Sequence, residues 1–102
     1  MQEKKKGRIM QIVKLKTELS EEEMLKIAKE REQQFKAISG IIQKYYVKRE
    51  GPGEYGGVYI WDSLESLERF KKSELAATIP TAYKVVETPV VEIIDIMFEL
   101  RE

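Results

Sequence analysis

The sequence predicts a single α+β domain built as strand–helix–strand–strand–helix–strand. Three observations predict it. Four short runs rich in β-branched and aromatic residues alternate with two segments of helical periodicity. Each periodic segment opens on a capping signature, Ser20-Glu21-Glu22-Glu23 in the first and Asp62-Ser63-Leu64-Glu65 in the second. The glycine- and proline-dense turn Arg49-Glu50-Gly51-Pro52-Gly53-Glu54 joins the second and third runs as a hairpin. A length of 102 residues suits one domain and leaves no room for two.

Taken in order, residues 1–8 read as a flexible, basic lead and 9–102 as the domain. Residues 9–16, Ile-Met-Gln-Ile-Val-Lys-Leu-Lys, form the first strand. Ser20 then caps a helix expected to run unbroken to about Ile38, with the inward stripe Met24, Ala28, Phe35 and Ile38. Ser39-Gly40 ends it, because Gly40 adopts a positive φ without steric cost. Residues 41–48 make the second strand and 57–61 the third. The second helix carries Leu64, Leu67 and Phe70 at helical spacing. A weaker helical pattern resumes at Ser73 and is expected to stop near Ile79, since Pro80 disfavours a helical residue before it. Residues 81–88 form a connector, and 90–100 the last strand. This order is the ferredoxin-like split βαβ, in which right-handed crossovers give one antiparallel sheet with both helices on one face.

Composition removes several function classes. The chain has no cysteine, which excludes thiolate catalysis, iron–sulfur clusters and disulfide scaffolds, and suggests a reducing, cytoplasmic setting. It has no histidine, the commonest general base and metal ligand. Lys and Arg balance Asp and Glu at 18 each, so the excess positive charge that nucleic-acid binding needs is missing. Tyr59 and Trp61 on the third strand resemble the stacking aromatics of RNA-recognition domains, but the basic residue and glycine–aromatic pattern expected beside them are absent. No run of ~18 apolar residues predicts a membrane span. The Lys- and Glu-rich composition without asparagine leans towards a thermophilic source.

A sheet covered by helices on one side only is expected to alternate apolar with polar. These strands do not. Val58 and Ile60 oppose Tyr59 and Trp61, Ile94, Ile96 and Phe98 oppose Ile93 and Met97, and Met10 and Ile12 oppose Ile9, Val13 and Leu15. The second face therefore calls for cover, and a second copy placed sheet against sheet supplies it.

The segments Ile41-Ile42-Gln43-Lys44-Tyr45-Tyr46 and Gly53-Glu54-Tyr55-Gly56-Gly57-Val58-Tyr59-Ile60-Trp61, then residues 63–70 and Ser73-Glu74-Leu75-Ala76, carry a family likeness. Through them the chain resembles the dimeric α+β barrel superfamily, and within it the YdhR-like monooxygenases, relatives of the antibiotic-biosynthesis monooxygenases. The resemblance implies a homodimer, a pocket between helices and sheet in each subunit, and oxidation of an aromatic or polycyclic substrate by O₂ without a cofactor. Its histidine-dependent and haem-degrading branches have no counterpart residue here.

Candidate site residues follow. Arg31 interrupts the apolar stripe of the first helix; there it stabilises an enolate or phenolate, or snorkels to water or pairs with a Glu. Asp95, among Ile93, Ile94, Ile96 and Met97, is either a buried base or an edge charge that blocks stray strand pairing. Tyr45, Tyr46, Tyr59, Trp61 and Tyr83 are either flat walls with hydroxyls for an aromatic ligand or interface and core. Alternation keeps Tyr45 and Tyr46 on opposite faces. Gln43 offers a hydrogen bond to a carbonyl, and Lys44 a charge for an anionic intermediate, unless both are plain strand residues. Arg31, Gln43 and a pocket tyrosine, Tyr45 among them, are the expected catalytic set; Lys44, Tyr46, Tyr59, Trp61, Tyr83 and Asp95 are the expected binding set. No metal site is expected, because Glu21, Glu22 and Glu23 face different directions on a helix. Gly51, Gly53, Gly56 and Gly57 lack the lysine and helix of a phosphate loop. The alternative function is a homodimeric module that binds a small ligand, or serves structurally, without turnover.

Overall fold

The computed structural model describes residues 8–101. Its elements are β1 (Ile9–Lys16), α1 (Glu21–Glu30), α2 (Glu32–Lys36), β2 (Ile41–Lys48), β3 (Glu54–Trp61), α3 (Leu64–Lys71), α4 (Glu74–Ala77), α5 (Ile79–Ala82) and β4 (Val90–Asp95). The strands form one antiparallel sheet in the spatial order β2-β3-β1-β4, the expected ferredoxin-like arrangement. The lead expected over 1–8 lies outside the described residues except for Arg8. Arg8 is held: its guanidinium lies 2.6 Å from Glu99 Oε2, and its carbonyl accepts the Ile96 N–H at 3.1 Å.

Local chemistry sets the helix starts. Ser20 Oγ accepts the Glu23 N–H at 3.1 Å while Glu23 Oε1 accepts the Ser20 N–H at 2.9 Å, a closed capping box. Ser63 Oγ accepts the Ser66 N–H at 3.1 Å, and Ser73 Oγ accepts the Ala76 N–H at 3.2 Å. Gly40 takes φ +93°, and a Cβ there would meet Ser66 Oγ, so the first helical segment turns into β2 through glycine.

Four boundaries differ from expectation. The first helix is not continuous: Arg31 leaves the helical region (φ −99°, ψ 0°), and its N–H is shared between the Ile27 and Ala28 carbonyls. Its guanidinium is drawn to the α4–α5 junction instead, and Ala28 and Phe35 are both buried on either side of the break. Helix does not stop at Ile79. A new turn begins there, since Pro80 in a first turn forfeits only an N–H that has no intrahelical acceptor. β3 starts three residues earlier than expected, its first residue paired with Lys16. β4 ends at Asp95, because beyond the Arg8–Ile96 bond β1 offers it no further partner among the described residues. The connector over 81–88 is also tied down, through the Thr17–Val85 bridge and the Val86 N–H to Lys16 carbonyl bond of 2.9 Å.

Register assigns the faces, because antiparallel partners project to the same side. Ile9 opposite Trp61, Gln11 opposite Tyr59, and Lys44 opposite Tyr59 on its other flank all face the helices. There Ile9, Phe35, Tyr59, Trp61, Leu67 and Phe70 form the core. Met10, Ile12, Tyr45, Val58, Ile60 and Ile94 project from the other face. β4 is exposed along its whole length, as are Met97, Phe98 and Leu100 beyond it.

Leu67 has no exposed surface. Leu67→Ala is expected to lower the unfolding free energy by about 2–5 kcal/mol in urea titration, and Ser20→Ala by about 1 kcal/mol. A Leu67→Ala protein as stable as its parent would mean that α3 is not seated on the sheet as described.

Candidate functional site

A cavity of about 110 Å³ lies between the helices and the β2–β3 side of the sheet. α1 contributes Met24, Leu25 and Ala28, the α5 segment Ile79 and Tyr83, and the sheet Lys44, Tyr46, Gly57 and Tyr59. Glu21 and Lys48, joined at 2.9 Å, border its solvent side. Gly57 leaves the floor open. A Cβ there would lie 3.3 Å from Tyr59 Cε1 and 3.4 Å from Lys44 Cε, so any side chain would press on both. Thr17 holds one wall in place: its hydroxyl donates to the Tyr83 carbonyl at 2.7 Å. A wider and more open recess of about 290 Å³ lies beside the cavity along β2, and Lys44 and Tyr46 line both.

The polar groups here are almost all donors. Lys44 Nζ lies 3.6 Å from the Phe35 ring centroid, 4.4 Å from that of Tyr46 and 4.6 Å from that of Tyr59. Among the described residues no carboxylate pairs with it. Burial, and then the charge of Arg31, lower its pKa to about 7. Arg31 Nη2 donates to Thr78 Oγ1 at 3.0 Å and to the Leu75 carbonyl at 3.4 Å, while its Nε is buried without a partner. The Tyr83 hydroxyl is likewise buried and unpartnered. Burial and the neighbouring Tyr46 push its pKa up to about 12, with Arg31 opposing. Burial also raises the Tyr59 phenol, and burial and then Glu32 raise that of Tyr46. At neutral pH the three phenols therefore keep their protons and remain donors.

The fold thus brings Arg31, Lys44, Tyr46, Tyr59 and Tyr83 together. It does not bring the other four candidates to them. Gln43 pairs with Ile60, borders only the outer recess, and its Oε1 accepts the Lys44 N–H at 2.9 Å. Tyr45 pairs with Val58 on the opposite face of the sheet and is 54% exposed. Trp61 is fully buried in the core, where its Nε1 donates to Gln11 Oε1 at 2.9 Å. Asp95 stands exposed at the end of β4, the edge farthest from β2. Gly57 and Thr17 were not among the expected site residues. The paired glycines inside a β-branched run were the available signal for Gly57, since glycine within a strand often marks a close approach. Among the described residues no group of acidic side chains is placed to hold a metal ion, and no helix is long and apolar enough to cross a membrane.

No protein-family model matches the chain, and no curated protein matches it in sequence. Solved structures do match. The cofactor-independent oxygenase SnoaB from Streptomyces nogalater is similar with a TM-score of 0.73 at 11% identity, over 94% of this chain and 99% of that one. A Bordetella bronchiseptica protein described by similarity as an antibiotic biosynthesis monooxygenase gives 0.75 at 16% identity, over 90% and 99%. The NE2512 protein of unknown function from Nitrosomonas europaea gives 0.75 at 15% identity, over 94% and 95%. Likeness at these identities is a likeness of fold: the chain adopts the ferredoxin-like α+β fold of the antibiotic-biosynthesis-monooxygenase-like proteins.

Proposed function

We propose that this protein is a homodimeric, cofactor-independent oxygenase of a small aromatic substrate that carries an acidic hydroxyl or enol. The observation that carries the reading is the buried, unpartnered hydroxyl of Tyr83 in the cavity wall. Buried polar groups almost always find partners. One that lacks a partner, in a mostly apolar cavity that also presents a lysine and feels the charge of Arg31, suits a ligand that brings an acceptor or an anion of its own. The fold shared with SnoaB supports the same reading.

The chemistry needs no redox group, because the substrate supplies the electrons. Lys44, as free amine, takes a proton from the activated carbon. Arg31 and the Tyr83 hydroxyl stabilise the resulting anion in a site of low polarity. The carbanion passes one electron to O₂, and the radical pair recombines at carbon as a peroxide. Return of the proton and loss of water leave a ketone, so that one CH₂ and one O₂ become one C=O and one H₂O. Gln43 and Tyr45 take no part in this scheme, since neither reaches the cavity. The apolar sheet face away from the helices, together with Met97, Phe98 and Leu100 exposed at 91%, 72% and 80% in the segment after β4, supports the second copy.

Oxygen uptake with a panel of anthrones and naphthols, using ¹⁸O₂, tests the oxygenase. The expected result is one labelled oxygen in a product that has lost two hydrogens. Binding without uptake would instead favour a ligand-binding module. Tyr83→Phe is expected to leave stability unchanged or raise it slightly, because it removes an unpaired buried hydroxyl, and to weaken ligand binding by about 1 kcal/mol. Light scattering is expected to give twice the chain mass for the parent and a monomer for Ile60→Glu. A monomeric parent would remove the homodimer from the reading.

A further inference from the structure

Lys44 is placed unlike an ordinary strand lysine. Its amine is enclosed by the faces of Phe35, Tyr46 and Tyr59 at 3.6–4.6 Å, and it stands in the wall of a cavity whose floor is the bare backbone of Gly57. We propose that Lys44 is an imine-forming nucleophile, whose amine adds to the carbonyl of a small aromatic aldehyde or ketone seated against Tyr46, Tyr59 and Tyr83.

The charged and titratable groups facing Lys44 fit that role. Arg31, between α1 and α2, adds a second cation on the same side. The carboxylates that line the cavity and the recess with it are engaged elsewhere: Glu32 lies 3.4 Å from Lys36 Nζ, and Glu21 lies 2.9 Å from Lys48 Nζ. Tyr46, Tyr59 and Tyr83 are neutral donors at pH 7. The ring faces favour the ammonium form, whereas loss of water and repulsion from Arg31 favour the free amine, with a net lowering of the pKa to about 7. A lysine freed of its proton by an apolar site or a neighbouring cation is the nucleophile of Schiff-base chemistry.

The step balances without an oxidant. The nitrogen lone pair forms the C–N bond as the carbonyl π pair moves to oxygen. A proton passes from nitrogen to that oxygen, and loss of water gives the C=N bond. The unpartnered Tyr83 hydroxyl is a donor for the carbonyl oxygen as negative charge grows on it. The proposal rests on the cavity being an aromatic-ligand site, as in the reading above, but not on oxygen chemistry.

The test is reductive trapping. The full chain is incubated at pH 7 with 4-hydroxybenzaldehyde and cyanoborohydride, and adducts are mapped by peptide mass spectrometry. The expected result is one adduct per chain on Lys44, favoured at least about tenfold over any other lysine because a surface amine of pKa ≈ 10.4 is almost wholly protonated at this pH. Lys44→Arg abolishes that adduct. Adducts spread over surface lysines, with Lys44 not enriched, overturn the proposal. Phenol binding by calorimetry reports on the cavity separately. Phenol bound without a Lys44 adduct sinks the imine and leaves the oxygenase reading standing; neither phenol binding nor adduct removes both.

Stability gives a second readout. The unfolded chain holds the Lys44 proton up to about pH 10.5 and the folded chain only to about 7, so between these values the unfolded state binds more protons and stability rises with pH. The raised phenols of Tyr59 and Tyr83 act in the opposite direction, and only above about pH 10. The difference in stability between the parent and Lys44→Met is therefore expected to change between pH 7 and 10 in favour of the parent. A difference that stays flat across that window overturns the free amine.

Discussion

The contact on which the rest of the molecule depends is the aromatic cluster of Phe35, Tyr59, Trp61 and Phe70. Tyr59 and Trp61 stack along β3 at 5.9 Å with their planes 6° apart. Phe70 of α3 meets Trp61 at 5.3 Å and Tyr59 at 5.8 Å, and Phe35 of α2 meets Phe70 at 6.1 Å. One ring from α2 and one from α3 thus meet over β3: both touch Tyr59, and Phe70 also touches Trp61. Such rings bury large areas, and pairs at these separations add somewhat beyond area alone. The bond from Trp61 Nε1 to Gln11 Oε1 satisfies the indole inside the core, and it fixes the ring's orientation from the neighbouring strand.

The cluster is also a boundary. Tyr59 and Phe35 belong to the core on one side and present ring faces to Lys44 on the other. Stability and site chemistry therefore share side chains, and the cavity begins where the packing stops. On the core side the Trp61 indole has its acceptor. On the cavity side Tyr83 Oη has none, and a lysine loses water without gaining a counter-ion. Arg31 Nε is the other buried side-chain atom without a partner among the described residues.

The two faces of the sheet divide the labour through the period of two along each strand. Tyr46 turns to the helices and meets Lys44, while Tyr45, one residue earlier, turns to the uncovered face with Val58 and Ile60. β4 is exposed along its length, so its valines and isoleucines stay open to solvent on both faces. One element order thus yields an enclosed site on one face and an apolar surface on the other.

What the sequence determined by itself is the local part. The helix caps, the hairpin turn, Gly40 and the order of elements all follow from interactions spanning a few residues. So does the opposition of Tyr45 to Tyr46, since alternation needs no partner strand. Arg31 was legible as an anomaly because a charge broke an apolar stripe, although the helix break at that position was not: it depends on Thr78 and Leu75, more than 40 residues away. Only the tertiary structure decided which face meets the helices, and hence that Lys44 and Tyr46 line the cavity while Gln43 and Tyr45 do not. It also placed Tyr83, carried by a connector with no periodicity to read, and it sent Trp61 to the core and Asp95 to an exposed edge. The physical reason is that burial and desolvation are properties of the assembled neighbourhood. The lowered pKa of Lys44 arises from burial and from the Arg31 guanidinium, a neighbourhood assembled from the first helical segment, β2 and β3, which no short window of sequence contains together.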